Sequence, residues 1–260
     1  MAISQRSAIT TLAIVALAGV VAVVVLLVAR GPSERALPPD PWAVAGPLEV
    51  AEVAVTPCPT SFGAPGTRDV ALPPTLRVEV SASLRAKVTV FTDGLGLLDV
   101  LAPSSWGCTA LDAVDGSSTL VVFPPGAPLP RWGSVNSVRD GIVASQTGAC
   151  VGCSLQTACP LFSGARASYV ATYGLRCHLA PAHQEVVARI SPSHVLFIDP
   201  PGVLGAGRPS GGGLAAYGAM LWHLPHTRLP TAWLDTCTLP TSYHDLCVLS
   251  VRAFVARRPA

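Results

Sequence analysis

Apolar and polar positions are distributed unevenly along the chain, and the longest apolar run lies near the N-terminus. Residues 7–29, SAITTLAIVALAGVVAVVVLLVA, contain no charged side chain. As a helix rising about 1.5 Å per residue, they would extend for about 34 Å, enough to cross a hydrocarbon layer about 30 Å thick. Because the run has no polar stripe at helical spacing, it predicts a transmembrane segment over 12–29, preceded by a cytoplasmic N-terminus over 1–11.

Two features favour an uncleaved anchor over a cleaved signal peptide. The apolar run is longer than a signal-peptide core of about 7–15 residues, and Arg30 follows it directly. The small-x-small cleavage pattern occurs at 16–18, inside the run, and at 43–45, well beyond it. Secretion after signal cleavage is the alternative.

The anchor is followed by a predicted spacer and then by a folded domain. Residues 30–47 are rich in proline and lack apolar periodicity, which is typical of a stiff linker. Apolar and polar residues then alternate with period two, most clearly over 76–91, where Val78 and Val80 share a face opposite Glu79. This alternation predicts β-strands.

Further elements follow from apolar runs and from the residues that end them. The segments 118–126 and 194–202 are β-rich runs that end in Pro-Pro-Gly, and each predicts a buried strand entering a turn. The segment 93–103 predicts a short helix before a proline. Residues 154–174 have helical character, which we expect Pro160 and Gly164 to interrupt.

The clearest helix is predicted from about 243 to 257. Ser242 is a candidate N-cap, with Asp245 three residues later as an acidic capping-box variant. An apolar stripe at helical spacing follows, formed by Cys247, Val251, Phe254 and Val255. We therefore predict one α+β domain over 48–258, with mainly antiparallel strands and a C-terminal helix that packs on a sheet.

Charge disfavours a nucleic-acid partner. After residue 30 the chain carries 15 Arg or Lys and 15 Asp or Glu residues, and Lys87 is its only lysine. A nucleic-acid-binding domain is expected to carry a basic surplus or cluster. The one local pair, Arg257 and Arg258, is explained by the negative end of the C-terminal helix dipole.

Cysteine usage indicates the compartment. All eight cysteines follow the apolar segment: Cys58, Cys108, Cys150, Cys153, Cys159, Cys177, Cys237 and Cys247. An even number suits a disulfide framework in an oxidising compartment, whereas the few charges flanking the anchor do not fix its orientation. We therefore predict a single-pass cell-membrane protein with its C-terminal domain outside.

Most of the pairing is left open, because eight cysteines allow 105 connectivities. Cys237 and Cys247 are the first predicted pair, since they flank a short Leu-Pro-Thr-Ser turn. The remaining cysteines are expected to tie the 150–177 region to itself or to the strand ends near Cys58 and Cys108.

Two other roles for the Cys150-x2-Cys153 motif compete with a structural disulfide. It is one half of a possible zinc site, but Cys177, His178 and His183 make a poor second half because adjacent ligands rarely reach one ion. A redox-active pair generally lies at a helix N-terminus, and the two residues between the cysteines give no sign of one. We therefore predict no metal and no cofactor.

One passage of the sequence is more typical of an enzyme active site than the rest of the chain. In 199–213 a strand enters a glycine-rich loop that contains Asp199 and Ser210. The dinucleotide and Walker A patterns are absent, and so is the G-x-S-x-G elbow. We predict no catalytic residue, and keep a cell-surface hydrolase built on this loop as the alternative function.

Several short motifs resemble those of a known family. They are SSWGC (104–108), VDGSSTLVVFP (114–124), TGACVGC (147–153), PSGGG (209–213), TCTLP (236–240) and HDLC (244–247). In these motifs the chain resembles an uncharacterised family of exported actinobacterial proteins, a domain of unknown function. The resemblance implies export and no particular activity. The expected function is that of a binding or structural module at the cell surface, whose protein or cell-envelope ligand the sequence does not identify.

Overall fold

Strands are the commonest regular element of the described chain, and the first group forms a four-stranded sheet. Its members are β1 (Leu48–Pro57), β3 (Thr75–Ser81), β4 (Val88–Thr92) and β5 (Asp99–Pro103), in the order β3-β1-β4-β5. Strand β1 pairs antiparallel with β3 and parallel with β4. Val78 and Val80 are buried while Glu79 is exposed, so the predicted alternation is confirmed.

The other strands form an eight-stranded sheet in the order β2-β6-β7-β8-β12-β11-β10-β9. They are β2 (Thr60–Phe62), β6 (Gly107–Asp112), β7 (Ser118–Phe123), β8 (Gly141–Gln146), β9 (Val186–Ser191), β10 (His194–Asp199), β11 (Ala216–His223) and β12 (Thr231–Thr238). Strands β2 and β6 are parallel. The other neighbours in this sheet pair antiparallel, which confirms the predicted α+β class with mainly antiparallel strands.

The helices are α1 (Ala82–Arg85), α2 (Val151–Ala158), α3 (Ser163–Tyr173) and α4 (His244–Ala256). Helix α1 contacts β1 and β3 of the four-stranded sheet, whereas α2 and α4 both contact β11 and β12 of the eight-stranded sheet. Leu155 of α2 and Met220 of β11 belong to one buried apolar cluster, against which Leu234 of β12 packs. Strand residues alternate between faces, so Cys237 of β12 lies on the opposite face, where it is bonded to Cys247 of α4.

The predicted C-terminal helix is confirmed as α4, but its predicted cap is wrong. Ser242 lies within a 3-10 turn, Thr241–Tyr243, that leads directly into the helix, so Tyr243 takes the N-cap position without a side-chain hydrogen bond. The helix predicted over 93–103 is also wrong. That segment forms a turn followed by β5, whose first four residues are fully buried.

The structure, a computed structural model, describes residues 40–62, 70–127, 140–177, 184–206, 213–224 and 229–258. Within these ranges no helix is long and apolar enough to cross a membrane. The predicted cytoplasmic residues 1–11 and the predicted anchor 12–29 lie outside the described residues. From Asp40 onward the chain forms one compact unit.

Candidate functional site

All eight cysteines are paired in disulfides, and none is free. The pairs are Cys58–Cys108, Cys150–Cys153, Cys159–Cys177 and Cys237–Cys247. The predicted Cys237–Cys247 bond is present and joins β12 to α4. With its thiols paired, the CxxC motif offers no zinc knuckle. Among the residues that the structure describes, no cluster of three His, Cys, Asp or Glu side chains is arranged to hold a metal ion.

The CxxC motif lies at the start of a helix, a position that was not predicted from its residues. Helix α2 begins at Val151, directly after Cys150, and Cys150 itself is the N-cap. Its Sγ accepts a hydrogen bond from the Cys153 backbone N–H at 3.2 Å. The expectation that no helix begins between the two cysteines was therefore wrong, because sulfur takes the capping role that is usually filled by Ser, Thr, Asp or Asn.

The last residues of the predicted spacer, 40–45, pack against helix α4. The Ala45 backbone N–H donates to Asp245 Oδ2 at 3.3 Å, and Arg252 Nη2 donates to the Trp42 carbonyl at 3.0 Å. Asp245, predicted as part of a capping box, therefore fixes the incoming chain. These contacts hold residues 40–45 beside the first turn of α4.

A groove with a volume of about 610 Å³ opens beside this first turn of α4. Three separate segments line it: the α1 region, the end of β5 with the following turn, and the start of α4. Tyr243, which is 40% exposed, contacts the buried Trp106 ring edge-on, with centroids 5.8 Å apart. Lys87 and Asp245 supply opposite charges. The groove also has four serines: Ser83, Ser104, Ser105 and Ser242.

Four aspartates form a second polar cluster, which lies beneath the C-terminal end of α4. They are Asp93, Asp99, Asp112 and Asp235, and all four are buried. Arg257 Nε contacts Asp99 Oδ2 at 2.8 Å. Arg258 donates to the carbonyls of Phe254 and Leu97 at 2.8 and 2.9 Å. The two arginines therefore complement the helix end, as predicted, and also neutralise buried acid.

Burial raises the pKa of three of these carboxyl groups, those of Asp93, Asp112 and Asp235, so they stay protonated at higher pH than usual. Burial raises the pKa of Asp93 to about 6, and the nearby charges of Asp112 and Asp99 add to the shift, while the backbone N–H groups of Leu98 and Leu97 oppose it. Those N–H groups donate to Asp93 Oδ1 at 3.3 and 2.7 Å. Asp93 is therefore poised to exchange a proton near neutral pH.

The other two shifted acids have the same main cause. Burial raises the pKa of Asp235 to about 7, against the opposing charge of Arg258 and the Thr236 backbone N–H. Burial also raises the pKa of Asp112, while the side chains of Ser118 and Asp93 oppose the shift. At these three carboxyl groups the folded domain therefore binds protons more tightly than the unfolded chain does.

The loop of the alternative hydrolase is described only in part. Asp199 is buried at the end of β10, and its carboxylate packs directly against the Cα of Gly205. Ser210, and the zinc candidates His178 and His183, lie outside the described residues. His194, at the start of β10, is buried, and its Nδ1 is within hydrogen-bonding distance of the Ser191 and Ser193 hydroxyls.

Comparison with protein-family models, with curated proteins and with solved structures finds no match. The family resemblance based on short motifs therefore stays a prediction, and any function has to be argued from the site.

Neither the groove nor the carboxylate cluster was predicted from the sequence. The groove joins segments that are far apart in the chain. One signal for the cluster was present: Asp93 and Asp112 each stand where an apolar strand ends, in VTVFTD and TALD. A polar residue at such a position is also typical of an ordinary turn, so this signal alone does not distinguish a buried acid.

The shifted carboxyl groups predict a stability that falls as pH rises. Their pKa values in the folded state lie above the unfolded value of 3.8, so their contribution is present at about pH 4 and is lost by about pH 7. Asp235→Asn, which stays neutral, should weaken this pH dependence and raise the free energy of unfolding at pH 7.5 by roughly 1–3 kcal/mol. Urea unfolding across this range measures both effects.

Asp115→Asn is the matched control, because Asp115 is an exposed carboxylate in the turn between β6 and β7. It should leave the pH profile unchanged. If the free energy of unfolding falls with pH equally steeply in wild type and Asp235→Asn, the assignment of a raised pKa to Asp235 is contradicted.

Proposed function

We propose that the protein is a membrane-anchored, extracytoplasmic binding module. The observation that carries this proposal is the pairing of all eight cysteines. Cytosolic thiol reductants keep cysteines reduced, whereas exported domains keep disulfides. The uncharged segment 7–29 supplies an anchor of the required length.

The groove beside α4 is the proposed binding site. Its volume, about 610 Å³, is in the range that takes a small ligand. Four serine hydroxyls together with an exposed tyrosine ring suit a ligand that presents hydroxyl groups and flat apolar faces. We therefore assign it an oligosaccharide of the cell envelope, with Tyr243 as the stacking surface and the Lys87 ammonium and serine hydroxyls as hydrogen-bond donors.

A single lysine makes the predicted topology directly testable. Lys87 is the only lysine in the chain and is exposed. An amine-reactive reagent that cannot cross membranes should label Lys87 when it is added to intact cells, as detected by peptide mass spectrometry. The only other amine is at the N-terminus, which is predicted to be cytoplasmic.

Lys87→Arg is the control, since it keeps the charge and removes the reactive amine. This substitution should abolish labelling of the protein in intact cells. Labelling of wild-type Lys87 only after the cells are opened would place the domain on the cytoplasmic side and refute the proposal.

Oligosaccharide binding depends on the exposed ring in the groove. Tyr243→Ala should weaken the affinity for oligosaccharides released from the cell envelope of the source organism by roughly two- to tenfold, because a stacking contact is worth roughly 0.5–1.5 kcal/mol. Trp106 lies against Tyr243, so a change in tryptophan fluorescence reports binding.

Tyr173→Ala is the matched control. Tyr173 is 44% exposed but lies on α3 and does not line the groove. This groove is excluded as the saccharide site if Tyr243→Ala and wild type bind with equal affinity. It is also excluded if no oligosaccharide fraction gives a saturable change in tryptophan fluorescence.

A further inference from the structure

One disulfide differs from the other three in position and in what it encloses. Cys153 is exposed and Cys150 is partly exposed, whereas each of the other bonds includes at least one buried cysteine. Cys150 and Cys153 are 3 residues apart, whereas the other pairs are separated by 10, 18 and 50 residues. The entropy that a crosslink removes from the unfolded chain grows with loop length. Of the four disulfides, the Cys150–Cys153 bond is therefore expected to contribute least to the free energy of unfolding.

The same bond is placed where a thiolate is stabilised. Cys150 caps helix α2, and the Cys153 backbone N–H donates to its Sγ at 3.2 Å. The positive end of the helix dipole and this N–H group favour a negative charge on Cys150. An accessible CxxC pair at a helix start is the arrangement in which thiol–disulfide exchange takes place.

The residues before Cys150 are tied to strand β12 and to the turn between β6 and β7. Thr147 donates its backbone N–H to the Ala232 carbonyl at 2.9 Å, and the Ala232 N–H donates to Thr147 Oγ1 at 2.8 Å. The Ala149 N–H donates to the Asp115 carbonyl at 2.8 Å. Leu155 and Ala158 bury the other end of α2. The helix start is therefore held whether the disulfide is closed or open.

Close packing also restricts the residue between the cysteines. A Cβ atom at Gly152 would lie 2.9 Å from Tyr173 Oη, so glycine lets the tyrosine hydroxyl lie directly against the backbone of the motif. This contact covers one side of the CxxC turn and leaves Cys153 exposed.

We propose that Cys150–Cys153 is a thiol–disulfide exchange site that oxidises dithiols of other exported proteins. A partner thiolate attacks the exposed Sγ of Cys153 and forms a mixed disulfide. The Cys150–Cys153 bond breaks, and its electron pair goes to Cys150, whose thiolate the helix start stabilises. The partner's second thiolate then attacks the partner's first sulfur, which is bonded to Cys153 in the mixed disulfide. The Cys153 thiolate leaves, and the partner's two sulfurs become a disulfide.

The exchange is balanced in electrons and protons. The partner dithiol loses two electrons and two protons and becomes a disulfide, while Cys150 and Cys153 gain them and become thiols. An external disulfide returns the pair to its oxidised form by the reverse exchange. The site shares no residue with the groove beside α4, so this activity does not rest on saccharide binding.

The test uses the full chain, purified in detergent in its oxidised form, and a reduced dithiol peptide as the probe. Alkylation at intervals and peptide mass spectrometry should show that Cys150–Cys153 is reduced at least about tenfold faster than each of the other bonds. One equivalent of peptide should become a disulfide for each pair reduced.

Two variants test the source of the activity. One shows whether oxidation of the peptide requires the Cys150–Cys153 pair, and the other shows whether it is independent of the groove beside α4. Cys150→Ser/Cys153→Ser should oxidise the peptide at least about tenfold more slowly than wild type, at the rate of its other three disulfides, while retaining those disulfides and saccharide binding. Tyr243→Ala should exchange at the wild-type rate. The inference is overturned if Cys150–Cys153 is reduced no faster than the other bonds, or if the double variant oxidises the peptide as fast as wild type does.

Discussion

The covalent pairing of eight cysteines is the constraint on which the rest of the structure depends. The bond between Cys237 and Cys247 joins the centre of the large sheet to the C-terminal helix, and both cysteines are buried. By loop length, such a crosslink contributes about 3 kcal/mol, and the Cys58–Cys108 bond about 4 kcal/mol. Helix α4 in turn forms one wall of the groove at its first turn and covers the buried carboxyl groups at its last.

Local pattern was enough to predict part of this architecture. The apolar stripe through Cys247, Val251 and Phe254 correctly predicted helix α4. All three side chains are buried, as the spacing predicts. The segment 93–103 failed because a short, fully buried strand lacks the alternation that separates a strand from a helix. Ser242 failed as a cap because a preceding 3-10 turn moved the helix start by a single residue.

The functional regions were less predictable, because each depends on contacts between distant segments. The groove brings together residues 83–88, 103–106 and 242–246, and no periodicity connects them. The helix start at Cys150 was missed for a local reason, since cysteine is not among the usual capping residues. The resulting position changes the meaning of the CxxC motif from one more crosslink to a reactive one.

The paired cysteines suit the extracytoplasmic location that we propose, because oxidising conditions maintain disulfides. The buried acids cost the most stability at a pH where they must ionise. A domain built this way combines a rigid crosslinked core with a binding surface and one accessible disulfide.

The most direct test of the central claim is mass spectrometry of the natively isolated protein, alkylated before any reduction. The account predicts that Cys58–Cys108, Cys159–Cys177 and Cys237–Cys247 are fully paired, and that any free thiols are confined to the Cys150–Cys153 pair. Free thiols at Cys58, Cys108, Cys237 and Cys247 would contradict the account, because the chain would then have folded in a reducing compartment.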